Sequence, residues 1–194
     1  MKYIISVLLA ICCCLHTSAQ KHNVFADGAL SLAYLDPGFS ATYNYNFIKY
    51  IGVGVGGQGY VFHPAKTSFR KFTPAVFADF RFRIRPEKIS QYYVLTDVGV
   101  DFYKHSNETY QEGYYEYSVP KDNGIYLGLG IGYFLRLTHS GWGPYCTIKL
   151  INNIYELDQY NLRTREQKSK NVAGGTVIIS LGFRFGDNDD VPKN

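Results

Sequence analysis

The sequence predicts an all-β chain forming one closed, antiparallel, eight-stranded transmembrane β-barrel, and three observations predict it. Aromatic residues make up 16% of the chain, with Tyr 18 and Phe 13 beside Gly 19, a composition of strands and tight turns and not of helices or disorder. Only 19% of residues are charged, below the roughly 25% usual in soluble domains. Apolar and polar residues alternate with period two in segment after segment, the signature of strands whose side chains point to opposite faces. At 194 residues one domain is expected. The formal net charge of +4 is too small to argue for nucleic acid, and no nucleic-acid partner is expected.

In chain order, residues 1–19 read as a secretory signal: Lys2 at the start, an apolar run from Ile4 to Leu15, and the small-residue exit Thr17-Ser18-Ala19. Cleavage after Ala19 gives a barrel domain over 20–185 and a short periplasmic tail over 186–194. It removes Cys12, Cys13 and Cys14 and leaves Cys146, so no internal disulfide is expected. Ile11, bulky before Cys12, argues against a lipid anchor. No later stretch approaches the ~20 apolar residues of a spanning helix, so entry into a membrane must be by strands.

Phe39, Ala41, Tyr43, Tyr45 and Phe47 form one face of a strand, with Ser40, Thr42, Asn44 and Asn46 on the other. The pattern returns over 72–84, 92–103, 125–137 and 176–185, and less regularly over about 23–34, 50–62 and 144–153, completing eight strands. Asp36-Pro37-Gly38 reads as a turn. Short links at 48–50, 85–90 and 138–143 then alternate with long loops at 63–71, 104–123 and 154–175, the arrangement of tight turns at one end and extended loops at the other.

The content of the two faces decides which one meets lipid. A soluble barrel needs an outer face rich in Lys and Glu; here the polar face is Gly, Ser, Thr, Asn, Asp and Arg, residues that suit a narrow lumen. Charges on a lipid face would cost ~2–4 kcal/mol each near the midplane. The alternation therefore assigns Asp27, Asp79, Arg81, Arg83, Asp97, Asp101, Arg136, Lys149 and Arg184 to a lumen ion-pair network, with Arg81 pairing Asp97 and Arg184 pairing Asp27. Tyr34, Phe39, Phe47, Tyr50, Phe72, Tyr92, Phe102, Tyr145, Phe183 and Phe185 are expected as interfacial aromatics, and Cys146 as a small lipid-facing side chain.

On the alternating strands, the Gly-rich runs Gly52-Val53-Gly54-Val55-Gly56 and Gly128-Leu129-Gly130-Ile131-Gly132, and the terminal strand Val177 to Phe185, the chain resembles the small eight-stranded outer-membrane barrels of Gram-negative bacteria, the OmpA/OmpX type and the broad outer membrane protein beta-barrel domain group. The resemblance implies residence in the outer membrane, lipid and lipopolysaccharide as surroundings, and the barrel-assembly machinery reading the last strand. It also implies a structural or surface-interaction role through the outer loops, with a possible extracellular ligand at 104–123 and 154–175. The chain departs from the family in continuing past its final aromatic, from Gly186 to Asn194. Alternatives of other classes are a narrow pore for small or hydrophobic solutes, a lipid A-modifying enzyme using His105 and Ser106, and a soluble periplasmic barrel around an apolar ligand.

Other motifs carry less. Gly52, Gly54 and Gly57 match a dinucleotide fingerprint by spacing, but no helix pattern follows, so they read as strand glycines and no cofactor is expected. His22, His63, His105 and His139 are scattered without ligand spacing, so no metal is expected. Tyr110, Tyr114, Tyr115 and Tyr117 among Glu108, Glu112 and Glu116 suit polar recognition. Arg163, Arg165, Lys168 and Lys170 form a basic run that suits lipopolysaccharide phosphates.

Overall fold

A computed structural model describes residues 24–33, 36–62, 71–86, 88–103, 109–118, 123–138 and 141–186. The signal segment, the tail beyond Gly186, Tyr34, His22, His63, His105, Ser106 and His139 lie outside these residues. Ten strands form one antiparallel sheet: β1 (Val24–Ala33), β2 (Asp36–Ile48), β3 (Ile51–Phe62), β4 (Lys71–Ile84), β5 (Ser90–Asp101), β6 (Thr109–Glu112), β7 (Tyr115–Ser118), β8 (Gly124–Leu135), β9 (Gly143–Asn161) and β10 (Gln167–Phe185). Eight of them pair in succession, β1 to β5 and then β8 to β10, and β10 returns to β1 over Ala26↔Phe185 to Ala33↔Ile178. Each of the eight strands thus pairs with two others, and the ring has no free edge strand.

The up-and-down order puts the connections at 49–50, 85–89 and 136–142 at one end, with Val24 and Phe185. This is the turn end. Connections at 34–35, 63–70, 102–123 and 162–166 lie at the other, the loop end.

Two expectations about connections are corrected. Asp36-Pro37-Gly38 is strand, not turn: Asp36 pairs with Ala33, Pro37 with Leu32 and Gly38 with Ser31. β3 joins β2 only from Phe39 onward, so Pro37, with no N–H to donate, sits where one side of the strand has no neighbour. The segment 154–175 is not a long loop either. β9 and β10 stay paired from Gly143↔Arg184 to Tyr160↔Gln167, because Tyr155, Leu157 and Val172 carry the inward apolar face onto the core at the loop end. Within 104–123, β6 and β7 form a hairpin around Gly113, whose φ of +62° suits the left-handed conformation of the turn. β7 adds to the upper end of β9 through Tyr115↔Asn161 and Tyr117↔Gln159.

Burial follows the period of two. In β5, Gln91, Tyr93, Leu95 and Asp97 point in while Tyr92, Val94, Thr96 and Val98 point out. Among the described residues, the outward positions of the ring carry no charge up to Leu150 on β9 and Val177 on β10; Asn152, Ile154, Glu156 and Asp158, and Gly175, Ala173, Asn171 and Ser169, follow beyond them.

The narrow bore explains the glycines. Large inward side chains lean over a glycine on the next strand: Phe77 over its partner Gly56, where a Cβ would come within 2.5 Å of the ring, and Tyr93 over its partner Gly132. Gly52 and Gly54 of the fingerprint spacing lie in β3 under Asn46 and Asn44. Gly132→Val is expected to push Tyr93 aside and lower stability by about 1–3 kcal/mol, the range for overpacking a filled core, read as a lower urea midpoint in lipid vesicles.

Candidate functional site in the barrel lumen

Inward-facing strand positions bring Asp27, Asp79, Arg81, Arg83, Asp97, Asp101, Lys149 and Arg184 into the lumen, and Arg136, the residue just after β8, joins them; all are buried. The strand register sets their partners. Asp27 lies opposite Arg184 where the ring closes, and Arg184 donates Nε to Asp27 Oδ1 at 2.8 Å and Nη2 to Oδ2 at 3.2 Å. Arg81 reaches across the lumen to donate Nη1 to Asp27, and on its own strand donates Nε to Asp79 Oδ1 at 2.8 Å and Nη2 to Oδ2 at 2.9 Å. The Arg184 guanidinium lies 4.2 Å from the ring centre of Phe25 and 4.5 Å from that of Phe134. Carboxylates and aromatic faces together compensate the desolvation of these cations.

The expected Arg81–Asp97 pair does not form. Asp97 lies opposite Asp79, which leaves Arg81 opposite Leu95, and Asp97 instead accepts from Lys149 Nζ at 2.7 Å. Lys149 also donates to Gln58 Oε1 at 2.9 Å and sits 4.8 Å from the Phe77 ring centre. Near the turn end, Gln91 Nε2 and Arg136 Nη2 both donate to the Pro86 carbonyl, at 2.6 and 3.4 Å, holding the 85–89 connection against the lumen. At the loop end, Tyr60 donates to Asp101 Oδ1 at 3.0 Å and accepts from Asn153 Nδ2 at 2.6 Å.

On the outer surface, Phe39, Phe47, Tyr50, Phe72, Tyr92, Phe102 and Phe183 are exposed. Phe185 is half-buried, edge-on to Trp142 at 5.4 Å. Tyr145 is a correction: it is only 7% exposed and packs in the lumen with Tyr93, Leu95 and Phe134. It stands four positions from the inward Lys149, and an even spacing along a strand returns to the same face. The same parity rule applied strand by strand finds the inward aromatics that composition alone does not: Phe25, Tyr60, Phe77, Tyr93, Tyr126, Phe134 and Tyr155. It also finds outward Tyr45, Phe80 and Phe82. The half-buried Cys146 alternates with Tyr145 on the outer face. Among the described residues no group of His, Cys, Asp and Glu could hold a metal ion.

No protein-family model matches the sequence, and no curated protein matches it. Solved structures do resemble the fold. The outer membrane protein OprG from Pseudomonas aeruginosa superposes with a TM-score of 0.58 at 9% identity, over 86% of this chain and 97% of that one. The N-terminal beta-barrel domain of Pseudomonas aeruginosa OprF gives 0.47 at 12% identity, over 84% and 97%. The outer membrane protease OmpT from Escherichia coli gives 0.41 at 10%, over 84% and 96%. With its closed eight-stranded ring, uncharged outer band and filled polar lumen, the chain has the fold of the outer-membrane β-barrels.

Proposed function

We propose that the chain is an integral outer-membrane barrel with a structural or surface-interaction role, exercised through the sheet at its loop end, with the lumen serving as packed core. The observation that carries this is the length of the last two strands. β9 and β10 each run 19 residues, about twice the 9–11 that cross a bilayer. From Asn152 and Gly175 upward their outward faces turn mostly polar, with Ile154 and Ala173 among Asn152, Glu156, Asp158, Asn171 and Ser169. The upper halves, with the β6–β7 hairpin added, stand beyond the membrane and present exposed Tyr114, Tyr115, Tyr160 and Leu162, the rigid amphipathic side chains that recognition surfaces favour.

In this reading the loop end faces outward and both ends of the barrel domain face the periplasm. Phe39, Phe72 and Phe102 anchor one interface and Phe47, Tyr50, Tyr92, Phe183 and Phe185 the other. Arg163, Arg165, Lys168 and Lys170 lie within reach of lipopolysaccharide phosphates, and the terminal β10 is the strand that the assembly machinery engages. The continuous network from Arg184 through Asp27 and Arg81 to Asp79 supports a lumen closed to solutes.

In planar bilayers the refolded protein is expected to show no stable unitary openings. Openings that change on Lys149→Ala would replace the closed core with the narrow-pore reading. A membrane-impermeant amine reagent on intact cells is expected to label Lys168 and Lys170; protection of both until lysis would reverse the orientation. The reading is of a non-enzyme, so lipid A from cells with and without the gene is expected to give the same acyl pattern by mass spectrometry.

A further inference from the structure

β10 rises above its neighbour β1. The two pair only as high as Ala33↔Ile178, where the chain passes through 34–35 into β2, whereas β10 begins at Gln167. Over this upper stretch β9 holds one side of β10, as far as Tyr160↔Gln167. The hydrogen bonds at the tip decide which residues turn their backbone towards β9. Asn161 donates its N–H to the Glu166 carbonyl and accepts from the Arg165 N–H, both at 2.8 Å. Hydrogen-bonded and non-hydrogen-bonded pairs alternate along an antiparallel ladder. Counting down from Asn161, the bonded pairs are therefore Gln159 with Lys168, Leu157 with Lys170 and Tyr155 with Val172.

Gln167, Ser169, Asn171 and Ala173 are left pointing N–H and C=O away from β9. All four are exposed, and among the described residues no strand pairs with them on that side. They form a row of main-chain donors and acceptors about 20 Å long at ~3.3 Å per residue, a template for a further strand. The side chains on this row give it a preference. Lys168 and Lys170 are exposed on the inward face, followed by half-buried Val172, while Gln167, Ser169 and Asn171 lie on the other face. Side chains directly opposite one another across an antiparallel pair share a face, where opposite charges attract and like charges repel. The two lysines thus oppose pairing with the same edge of a second copy and favour carboxylates at alternate positions.

We propose that the edge at 167–173 takes an added β-strand from an extended, acidic segment of another polypeptide, antiparallel to β10, with carboxylates opposite Lys168 and Lys170. Main-chain hydrogen bonds from Gln167, Ser169, Asn171 and Ala173 hold the segment, and the lysines select it. This names the partner of the loop-end sheet and rests on the reading that the sheet stands outside the membrane.

The test uses the full barrel refolded in detergent micelles and the capped peptide Thr-Val-Thr-Glu-Thr-Glu-Thr, whose glutamates fall opposite Lys170 and Lys168 and whose valine falls opposite Val172. Binding is followed by fluorescence anisotropy of the labelled peptide and by amide NMR shifts of the barrel. Saturable binding with shifts centred on 167–173 is expected. N-methylation of the two central threonines, whose N–H groups face β10, is expected to weaken it about tenfold or more, the scale of two lost hydrogen bonds. N-methylation of the two glutamates, whose N–H groups face away, is expected to leave it unchanged. A peptide with lysine in place of both glutamates is expected not to bind, and Lys168→Gln with Lys170→Gln to weaken the parent peptide several-fold. Ser169→Pro removes an N–H that faces the open edge and spares the bonds to β9, as proline on an edge strand does; it is expected to fold, by its heat-modifiable band, and to lose binding. No saturation, equal binding of the lysine peptide, or the same affinity for both methylated peptides would overturn the proposal. So would a dimer of the barrel that Ser169→Pro returns to monomer, which would give the edge to a second copy. Labelling of Lys168 and Lys170 on intact cells without peptide binding would overturn the strand addition alone and leave the outward-facing sheet standing.

Discussion

Asp27→Ala is expected to cost more stability than any other single substitution in the lumen. One carboxylate serves two buried guanidiniums: Arg184, which lies opposite it in the closing strand pair, and Arg81, which reaches it across the lumen. Without Asp27, Arg81 keeps Asp79, but among the described residues Arg184 keeps the faces of Phe25, Phe134 and Tyr93 and no carboxylate. Removing one partner of a buried pair typically costs about 3–5 kcal/mol, because the remaining charge is stranded in low dielectric. That is a large part of the ~5–15 kcal/mol that holds a domain folded. The measurement is a urea titration of the refolded barrel in lipid vesicles, with the heat-modifiable band as the sign of closure. A second substitution separates charge from packing. If the loss comes from an uncompensated cation, Asp27→Ala combined with Arg184→Met is expected to recover most of it, since methionine suits an aromatic surround and an apolar replacement of a buried pair is often neutral. A double variant no better than Asp27→Ala alone would place the loss in lumen packing instead. By contrast the exposed Lys168–Glu166 pair at 3.7 Å is open to water, and Lys168→Ala is expected to leave the midpoint unmoved.

The pairing of Asp27 with Arg184 was legible in the sequence because it needs only two facts, that the chain closes and that β10 is the last strand. For Arg81 the alternation gives the face but not the partner. Face depends on odd or even position alone, whereas partner depends on register, and a shift of two residues changes every pair while leaving every face unchanged. The register that sets Asp79 opposite Asp97 leaves no mark in the period of two. Tyr145 is a different case: its even spacing from Lys149 gives the inward face, and only its aromatic character suggests the membrane surface. The upper halves of β9 and β10 were hidden because strand signals in a barrel depend on an apolar outward face. Beyond the band that face becomes Asn152, Ile154, Glu156 and Asp158, mostly polar, and the strand continues with little of the contrast that reveals it. The loop-end cluster around Asp101 combines both difficulties. Its members come from β3, β5 and β9 and from Tyr103 just past β5, and no spacing within one strand brings them together.

The same outward faces give the second large effect, and with it a direct measure of where the membrane lies. An arginine facing lipid at mid-depth costs a barrel about 2–4 kcal/mol, falling to about 0–1 near the interface. On the outer face of a soluble barrel the same arginine would be hydrated and nearly neutral. Leu129→Arg and Ile148→Arg place the charge on neighbouring strands in the middle of the uncharged band, where both side chains are outward and about half exposed, at 58% and 48%. Each is expected to lower stability in lipid vesicles by about 2–4 kcal/mol. Glu156→Arg places the same side chain on the same face of β9, eight residues above Ile148, about 26 Å along the strand at ~3.3 Å per residue. It is expected to have almost no effect, because that part of the strand is already in water and the residue it replaces is charged. Thr96→Arg, outward on β5, tests a third strand of the ring and is expected to behave as Leu129→Arg does. The order of the costs carries the conclusion more firmly than any one value. A profile that peaks at Leu129 and Ile148 and vanishes by Glu156 requires a hydrocarbon layer around the ring and a sheet rising clear of it. A flat profile with uniformly small costs would mean that water bathes the whole outer face, and the apolar band would then need a protein partner to cover it.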